Sequence, residues 1–301
     1  MKFLLSAGTA YSASTPLYYT LALDQKYCHA GAHKENEYLK LLSVPVGAPD
    51  YCSLEEFIKY RRLEESPNHE WVKMVDNSIA LDDDIYEPPY TLDRYVEYYR
   101  RLYDKVHPEF EAVADFSNYN FKLKEDFLIQ LRDKLSKYFE VKVIMVLRDP
   151  ISRAFSEQMA WTKHFKKKIV QKLSPAGNPP VTGYLGRLQY VQAIQRYDRV
   201  FGRENVLPLV MEEFWNDPDS PERLSGFLEY PITHIHENAY VPDKGSNAPL
   251  YKGLSDQARD QEDMTQELYD WCLQYFGFVY DEWEEYYGSL PIYWKKVRQG
   301  L

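Results

Sequence analysis

Four strand-length runs carry almost no polar interruption: Lys2–Ser6, Ala112–Asp115, Lys142–Leu147 and Val206–Val210. A strand that is apolar on both sides must be covered on both sides. That is the condition of parallel strands in an α/β sheet. Segments of helical period lie between them. Phe121–Phe139 places Leu123, Phe127, Leu128, Leu131 and Leu135 on one stripe, and Tyr184–Phe201 does so with Leu188, Val191, Ala193, Ile194 and Tyr197. The alternation predicts a three-layer α/β/α architecture with a central parallel sheet. A chain of 301 residues, 45% hydrophobic, is long enough to bury such a core as one large domain or two small ones.

Two regions break the alternation. Residues from about 45 to 108 are acidic and tyrosine-rich, and read as a mostly helical insertion or cap. Within them Tyr95, Tyr98, Tyr99, Leu102 and Tyr103 follow helical spacing, which suits a packed aromatic face or a sugar-stacking wall. The tail, about 255–301, predicts one helix over Asp256–Tyr275 and then an irregular aromatic end. Leu173–Tyr184 reads as a loop on its Pro and Gly content. The basic cluster Trp161–Lys172 suits either a guide for anions or a solvated helix end.

The formal charge of −10 argues against a nucleic-acid partner, which normally demands a basic stripe. Cys28, Cys52 and Cys272 have neither metal-ligand spacing nor the pattern of a disulfide framework, which suggests a reducing compartment. The opening Phe3–Leu5 run is too short for a signal-peptide core, and no window approaches the roughly 20 apolar residues of a membrane span. The expectation is a soluble cytoplasmic protein without a membrane partner.

Two stretches point to anion binding. Gly8, Thr9, Ala10, Tyr11, Ser12, Ala13, Ser14 and Thr15 occupy the frame G-x-x-x-x-G-K-[ST] after a strand, with Ala13 for the second Gly and Ser14 for the Lys. A loop between a strand and a helix start aims several backbone N–H groups at one point. Without the lysine, a triphosphate with Mg²⁺ is poorly held, but the hydroxyls of Thr9, Ser12, Ser14 and Thr15 suit a single phosphate. The same residues also suit an ordinary strand–turn–helix with a Ser/Thr cap. Farther on, Arg148 follows an apolar strand, Pro150 suits a first helical turn, and Ser156 lies about two turns in. An arginine fork with a serine hydroxyl suits a phosphate monoester, although Arg148 could also pair with Asp149.

At this point the sequence resembles the sulfotransferases that use 3′-phosphoadenosine 5′-phosphosulfate (PAPS), most closely the branch acting on glycans. "LRDPISRAFSEQ" resembles that family's 3′-phosphate segment, and the first loop lies where its 5′-phosphosulfate loop would lie. "HKENEYL", His33–Leu39, resembles its Lys-Glu-x-x-aromatic segment, and "AVADFSNY", Ala112–Tyr119, a Glu/Asp-x-Ser-x-x-Tyr strand end. Tyr190–Phe214 and the "DKGSNAP" segment, Asp243–Pro249, follow in the family's order. The resemblance implies a P-loop NTPase-like sulfotransferase fold as a single domain over residues 1–301. It also implies PAPS as co-substrate and its bisphosphate, PAP, as product, with no metal. Nucleotide contacts fall by resemblance on Gly8 to Thr15, Arg148, Ser156, Tyr184, Lys244, Gly245 and Ser246.

The departure is at the loop. Where the family has G-x-x-K-G-G-T-T, the lysine falls on Tyr11 and the Gly-Gly pair on Ser12-Ala13. Lys34 is the nearest substitute. Glu35 matches the family's glutamate and suits the general base, with His33 and Glu37 as rivals. The acceptor is expected to be a small molecule or a glycan. Two other readings stay open: a P-loop nucleotide kinase or NTPase, and a non-catalytic nucleotide-binding relative.

Overall fold

The computed structural model describes residues 1–12, 14–31, 34, 36–43, 89–154, 156, 188–236 and 266–300. Five strands, β1 (Lys2–Ser6), β2 (Cys28–His29), β3 (Ala112–Asp115), β4 (Glu140–Leu147) and β5 (Val206–Val210), form one sheet in the order β2-β3-β1-β4-β5. Every pairing is parallel. All carboxyl ends therefore open on one edge of the sheet, and the strand order reverses direction at β1, where open α/β sheets bind ligands.

Strand side chains alternate between two cores, as the pleat requires. Phe3, Leu5, Val113, Val143, Met145 and Leu147 pack into one. Leu4, Ala112, Ala114, Ile144, Val146 and Leu209 pack into the other. The first core is covered by α3 (Leu92–Val106), α4 (Glu125–Leu135) and α5 (Tyr190–Phe201), together with the last three helices of the chain. The second is covered by α1 (Ser14–Tyr18), which continues as a π-helical turn over Tyr19–Asp24, and by α6 (Met211–Phe214) and α7 (Ser220–Leu228). A short helix, α2 (Tyr38–Ser43), follows β2.

Helix α3 lies within the region read as a mostly helical insertion or cap. It is one of the layer helices, packed on β3 and α4, and the spacing of its tyrosines is a core signature. Tyr95, Tyr98 and Tyr99 are all buried, so the stacking-wall reading does not hold for them. Thr91 starts the helix by accepting a hydrogen bond from the Arg94 N–H at 3.2 Å. Residues 44–88, with the rest of the expected insertion, lie outside the described residues.

The end of the chain also differs from expectation. After α8 (Gln266–Phe276) come two further helices, α9 (Phe278–Tyr287) and α10 (Ile292–Arg298), in place of an irregular tail. Gly288, at φ 78°, ends α9 in the left-handed conformation that glycine adopts without a Cβ penalty. Val279, Tyr280, Trp283 and Trp294 turn inward and join the first core. The expected helix over Phe121–Phe139 is divided into a 3₁₀ turn, Asn118–Lys122, and α4. No described helix is long and apolar enough to cross a membrane.

Candidate anion and active site

The site grows out of the β1–β4 pairing. Ser6 is registered with Ile144. Beyond the strand the chain keeps that register for two more bonds: Ala7 N–H donates to the Ile144 carbonyl at 2.8 Å and Thr9 N–H to the Val146 carbonyl at 3.2 Å. Two residues further, each strand has ended, and Ala10 and Tyr11 arrive beside Arg148. The loop hugs β4 so closely that a Cβ on Gly8 would sit 2.7 Å from the Val146 carbonyl oxygen. Gly8→Ala must therefore push the loop off the strand. An expected cost of about 1–3 kcal/mol should appear as a lowered melting temperature.

Inside the loop, Ser12 N–H donates to the Thr9 carbonyl at 3.3 Å, and the Thr9 and Ser12 hydroxyls share a hydrogen bond of 2.5 Å. Both residues are buried, as is Ser14 at the start of α1. Tyr11 takes a left-handed backbone, φ 65°, which costs a non-glycine residue roughly 1–2 kcal/mol. The gain visible at that turn is the Tyr11 carbonyl, which accepts from Arg148 Nη1 at 3.2 Å. Its neighbour, the Ala10 carbonyl, accepts from Arg153 Nη1 at 3.3 Å. The two predicted anion sites are thus one place. Two buried guanidiniums back the loop, and among the described residues Arg148 Nε has no hydrogen-bond partner. An unpartnered donor on a buried cation is the feature an anionic ligand would complete.

Lys34 reaches the same loop at its α1 end. Its Nζ donates to Ser14 Oγ at 3.1 Å. The turn that carries it is pinned at several points. Asn36 Nδ2 donates to the Tyr99 hydroxyl at 2.6 Å, and Asn36 Oδ1 accepts from Tyr38 N–H at 2.9 Å. Glu37 N–H donates to Ser117 Oγ at 2.9 Å. Ser117 is in turn fixed by Asp115, which accepts from its N–H at 2.8 Å and from the Tyr95 hydroxyl at 2.7 Å. The Ala112–Tyr119 segment is thus a scaffold for the lysine turn. Glu37 itself pairs with Lys40 Nζ at 3.2 Å, an occupied carboxylate poorly suited to take an acceptor proton.

Behind Arg148 lies an acidic shell. Asp149 accepts from Ser152 N–H at 2.8 Å, capping the helix that opens at Pro150, and from the Tyr280 hydroxyl at 2.7 Å. Glu212, at the carboxyl end of β5, accepts from Asp149 N–H at 2.9 Å and from Trp294 Nε1–H at 3.1 Å. Burial raises both carboxyls, that of Glu212 to about 7; the charge of Asp149 adds to the Glu212 shift and the Arg148 guanidinium opposes it. The folded state therefore holds the Glu212 proton more tightly than the unfolded chain does. The stability from this group is complete below about pH 4.5 and is lost as pH rises through about 7. Melting temperatures should fall between about pH 5 and pH 8, and Glu212→Gln should flatten that decline.

Of the residues predicted from sequence, Gly8 to Ser12, Ser14, Lys34 and Arg148 come together, with Thr15 beside Ser14 in α1. Ser156 is helical and half-buried, eight residues beyond Arg148 in the chain. Ala13, His33, Glu35, Tyr184, Lys244, Gly245 and Ser246 lie outside the described residues. Sequence reasoning missed Arg153, although its place in the first turns of the Pro150 helix, five residues after Arg148, was a usable signal. It also missed Tyr190, whose hydroxyl donates to the Arg148 carbonyl at 2.9 Å.

A parallel sheet with helices on both faces and a strand-to-helix loop at its reversal point defines a P-loop-like α/β/α fold. Among solved structures, a sulfotransferase from Alicyclobacillus acidocaldarius aligns over 98% of this chain and 99% of its own, with a TM-score of 0.59 and 19% identity. The sulfotransferase domain of the Synechococcus PCC 7002 olefin synthase aligns over 96% of this chain and 95% of its own, with a TM-score of 0.47 and 14% identity. No protein-family model matches the chain, and no curated protein sequence matches it. At this identity the likeness is one of fold, and the fold is that of the sulfotransferases.

Proposed function

We propose that the protein is a PAPS-dependent sulfotransferase acting on a hydroxyl or amine of a small or carbohydrate acceptor. The observation that carries this reading is the meeting of the Gly8–Ser14 loop with the Arg148 guanidinium, at 3.2 Å, on the carboxyl edge of the sheet. One nucleotide with phosphates at both ends of its ribose fits such a pair of cradles. The loop amides and hydroxyls receive the 5′-phosphosulfate. Arg148, with Ser156, receives the 3′-phosphate. By resemblance, Tyr184, Lys244, Gly245 and Ser246 complete the nucleotide contacts.

In the reaction the acceptor oxygen or nitrogen forms a bond to sulfur as the bond from sulfur to the 5′-phosphate oxygen breaks. The electron pair leaves with PAP, and the acceptor proton passes to Glu35. Lys34 supplies the positive charge at the leaving oxygens that the family's loop lysine would supply. Holding donor and acceptor in line leaves little covalent work for the protein, as in phosphoryl transfer. A kinase or NTPase reading fares worse, because Ser14 occupies the position of the phosphate-binding lysine. The buried free thiols Cys28 and Cys272 suit a reducing compartment, and the cytoplasm is the proposed location.

The test compares ligands by thermal shift. PAP at about 100 times its dissociation constant should raise the melting temperature by several degrees, and ATP with Mg²⁺ should do much less. The reverse order would favour the kinase reading. Release of PAP from PAPS in the presence of an acceptor separates an enzyme from a binding relative.

A further inference from the structure

We propose that helices α9 and α10 are a positioning element for the anion site, with Tyr280 and Trp294 fixing Arg148 through Asp149 and Glu212. The proposal rests on the sulfotransferase reading, in which Arg148 holds the 3′-phosphate. Arg148 is clamped along its backbone rather than only at its guanidinium. Its carbonyl accepts from the Tyr190 hydroxyl at 2.9 Å, and the next N–H, that of Asp149, donates to Glu212 at 2.9 Å. Each carboxylate of the clamp is then oriented by one donor from the end of the chain. Asp149 takes the Tyr280 hydroxyl at 2.7 Å, and Glu212 takes Trp294 Nε1–H at 3.1 Å.

The aromatic donors are themselves locked. Trp294 packs against Trp283 at 4.8 Å between ring centroids, against Tyr190 at 6.0 Å and against Tyr280 at 6.2 Å. Tyr280 and Trp294 are fully buried, so neither exchanges its acceptor for water. Simple core formation does not account for this arrangement. Phenylalanine would fill the space of the Tyr280 ring, and burying two carboxyl groups costs desolvation that apolar residues would not incur. What the carboxylates gain is a fixed strand-to-helix corner at Arg148. A side chain placed within a fraction of an ångström is what selective binding of a phosphate monoester requires.

The experiment measures, by calorimetry at one temperature, the affinities of adenosine 3′,5′-bisphosphate and adenosine 5′-phosphate. These ligands differ only in the phosphate assigned to Arg148. Tyr280→Phe deletes one donor and keeps the ring, and Trp294→Phe deletes the other and puts a smaller ring in the indole's place. Two independent variants keep the test usable should one of them not fold. The wild type should prefer the bisphosphate. Each variant should lose about tenfold of that preference while binding adenosine 5′-phosphate as before. Tyr286→Phe, on the same helix but hydrogen-bonded to Arg203 at 3.1 Å, should keep the preference in full. A preference unchanged in both variants overturns the positioning role and leaves the sulfotransferase reading standing. Equal losses of both ligands overturn it too, since a merely structural effect does not choose between them. A wild type with no preference for the bisphosphate overturns the sulfotransferase reading and this proposal together.

Discussion

Lys34→Ala is expected to lower turnover by about 10²–10³-fold while PAP binds nearly as tightly as before. The split follows from where the ammonium sits. Its hydrogen bond to Ser14 Oγ places it at the start of α1, whereas the two guanidiniums bond the Ala10 and Tyr11 carbonyls. In the proposed complex the bisphosphate product is held by the loop amides and Arg148 whether or not Lys34 is present. The extra negative charge that develops on the leaving oxygen is not, and only interactions stronger in the transition state raise the rate. Lys34→Arg should recover part of the loss, because it restores charge with a different reach. Turnover unchanged in Lys34→Ala would remove this residue from the mechanism.

Glu35→Gln is expected to cost about 10²–10⁴ in turnover, again without loss of nucleotide affinity. The acceptor's proton must leave as the new bond to sulfur forms, and a carboxamide of the same shape cannot take it. Of the rival bases named from sequence, Glu37 is engaged with Lys40 at 3.2 Å. His33 is separated from Glu35 by the pH profile of the rate. A carboxylate base gives activity that rises through roughly pH 4–5, and an imidazole base one that rises through roughly pH 6–7. Wild-type turnover in Glu35→Gln would refute the assignment.

The sheet was legible because its strands are buried on both faces and so appear as continuous apolar runs. β1, β3 and β5 have the ends expected from sequence. β4 begins at Glu140 rather than Lys142, since its exposed first residue breaks the apolar run. β2 is only Cys28–His29, too short to register as a run. Helices α9 and α10 were hidden by composition. Gly277, Gly288 and Pro291 punctuate the segment, and its aromatic residues obscure the helical stripe formed by Val279, Tyr280 and Trp283.

The two halves of the candidate anion site were legible separately, from Gly8–Thr15 and from Arg148. Their union depends on the β1–β4 register, which no local pattern reveals. The same holds for the acidic shell. Asp149 reads from sequence as the partner of its neighbour Arg148, whereas in the fold it caps a helix and accepts from Tyr280, 131 residues away. Over α3 the tyrosine spacing suited a packed aromatic face and a stacking wall alike, and the fold selects the packed face. Here the rings of Phe3, Tyr95 and Tyr99 meet edge-on, at 6.2 and 4.9 Å from Phe3, and fill the core.

A crystal structure with adenosine 3′,5′-bisphosphate tests the central claim most directly. The account predicts the 5′-phosphate within hydrogen-bond distance of the amides of the Gly8–Ser14 loop and the 3′-phosphate on the Arg148 guanidinium, with Nε as one of its donors. A nucleotide bound elsewhere, or one whose 3′-phosphate points to solvent while Arg148 stays only on the Tyr11 carbonyl, would contradict it.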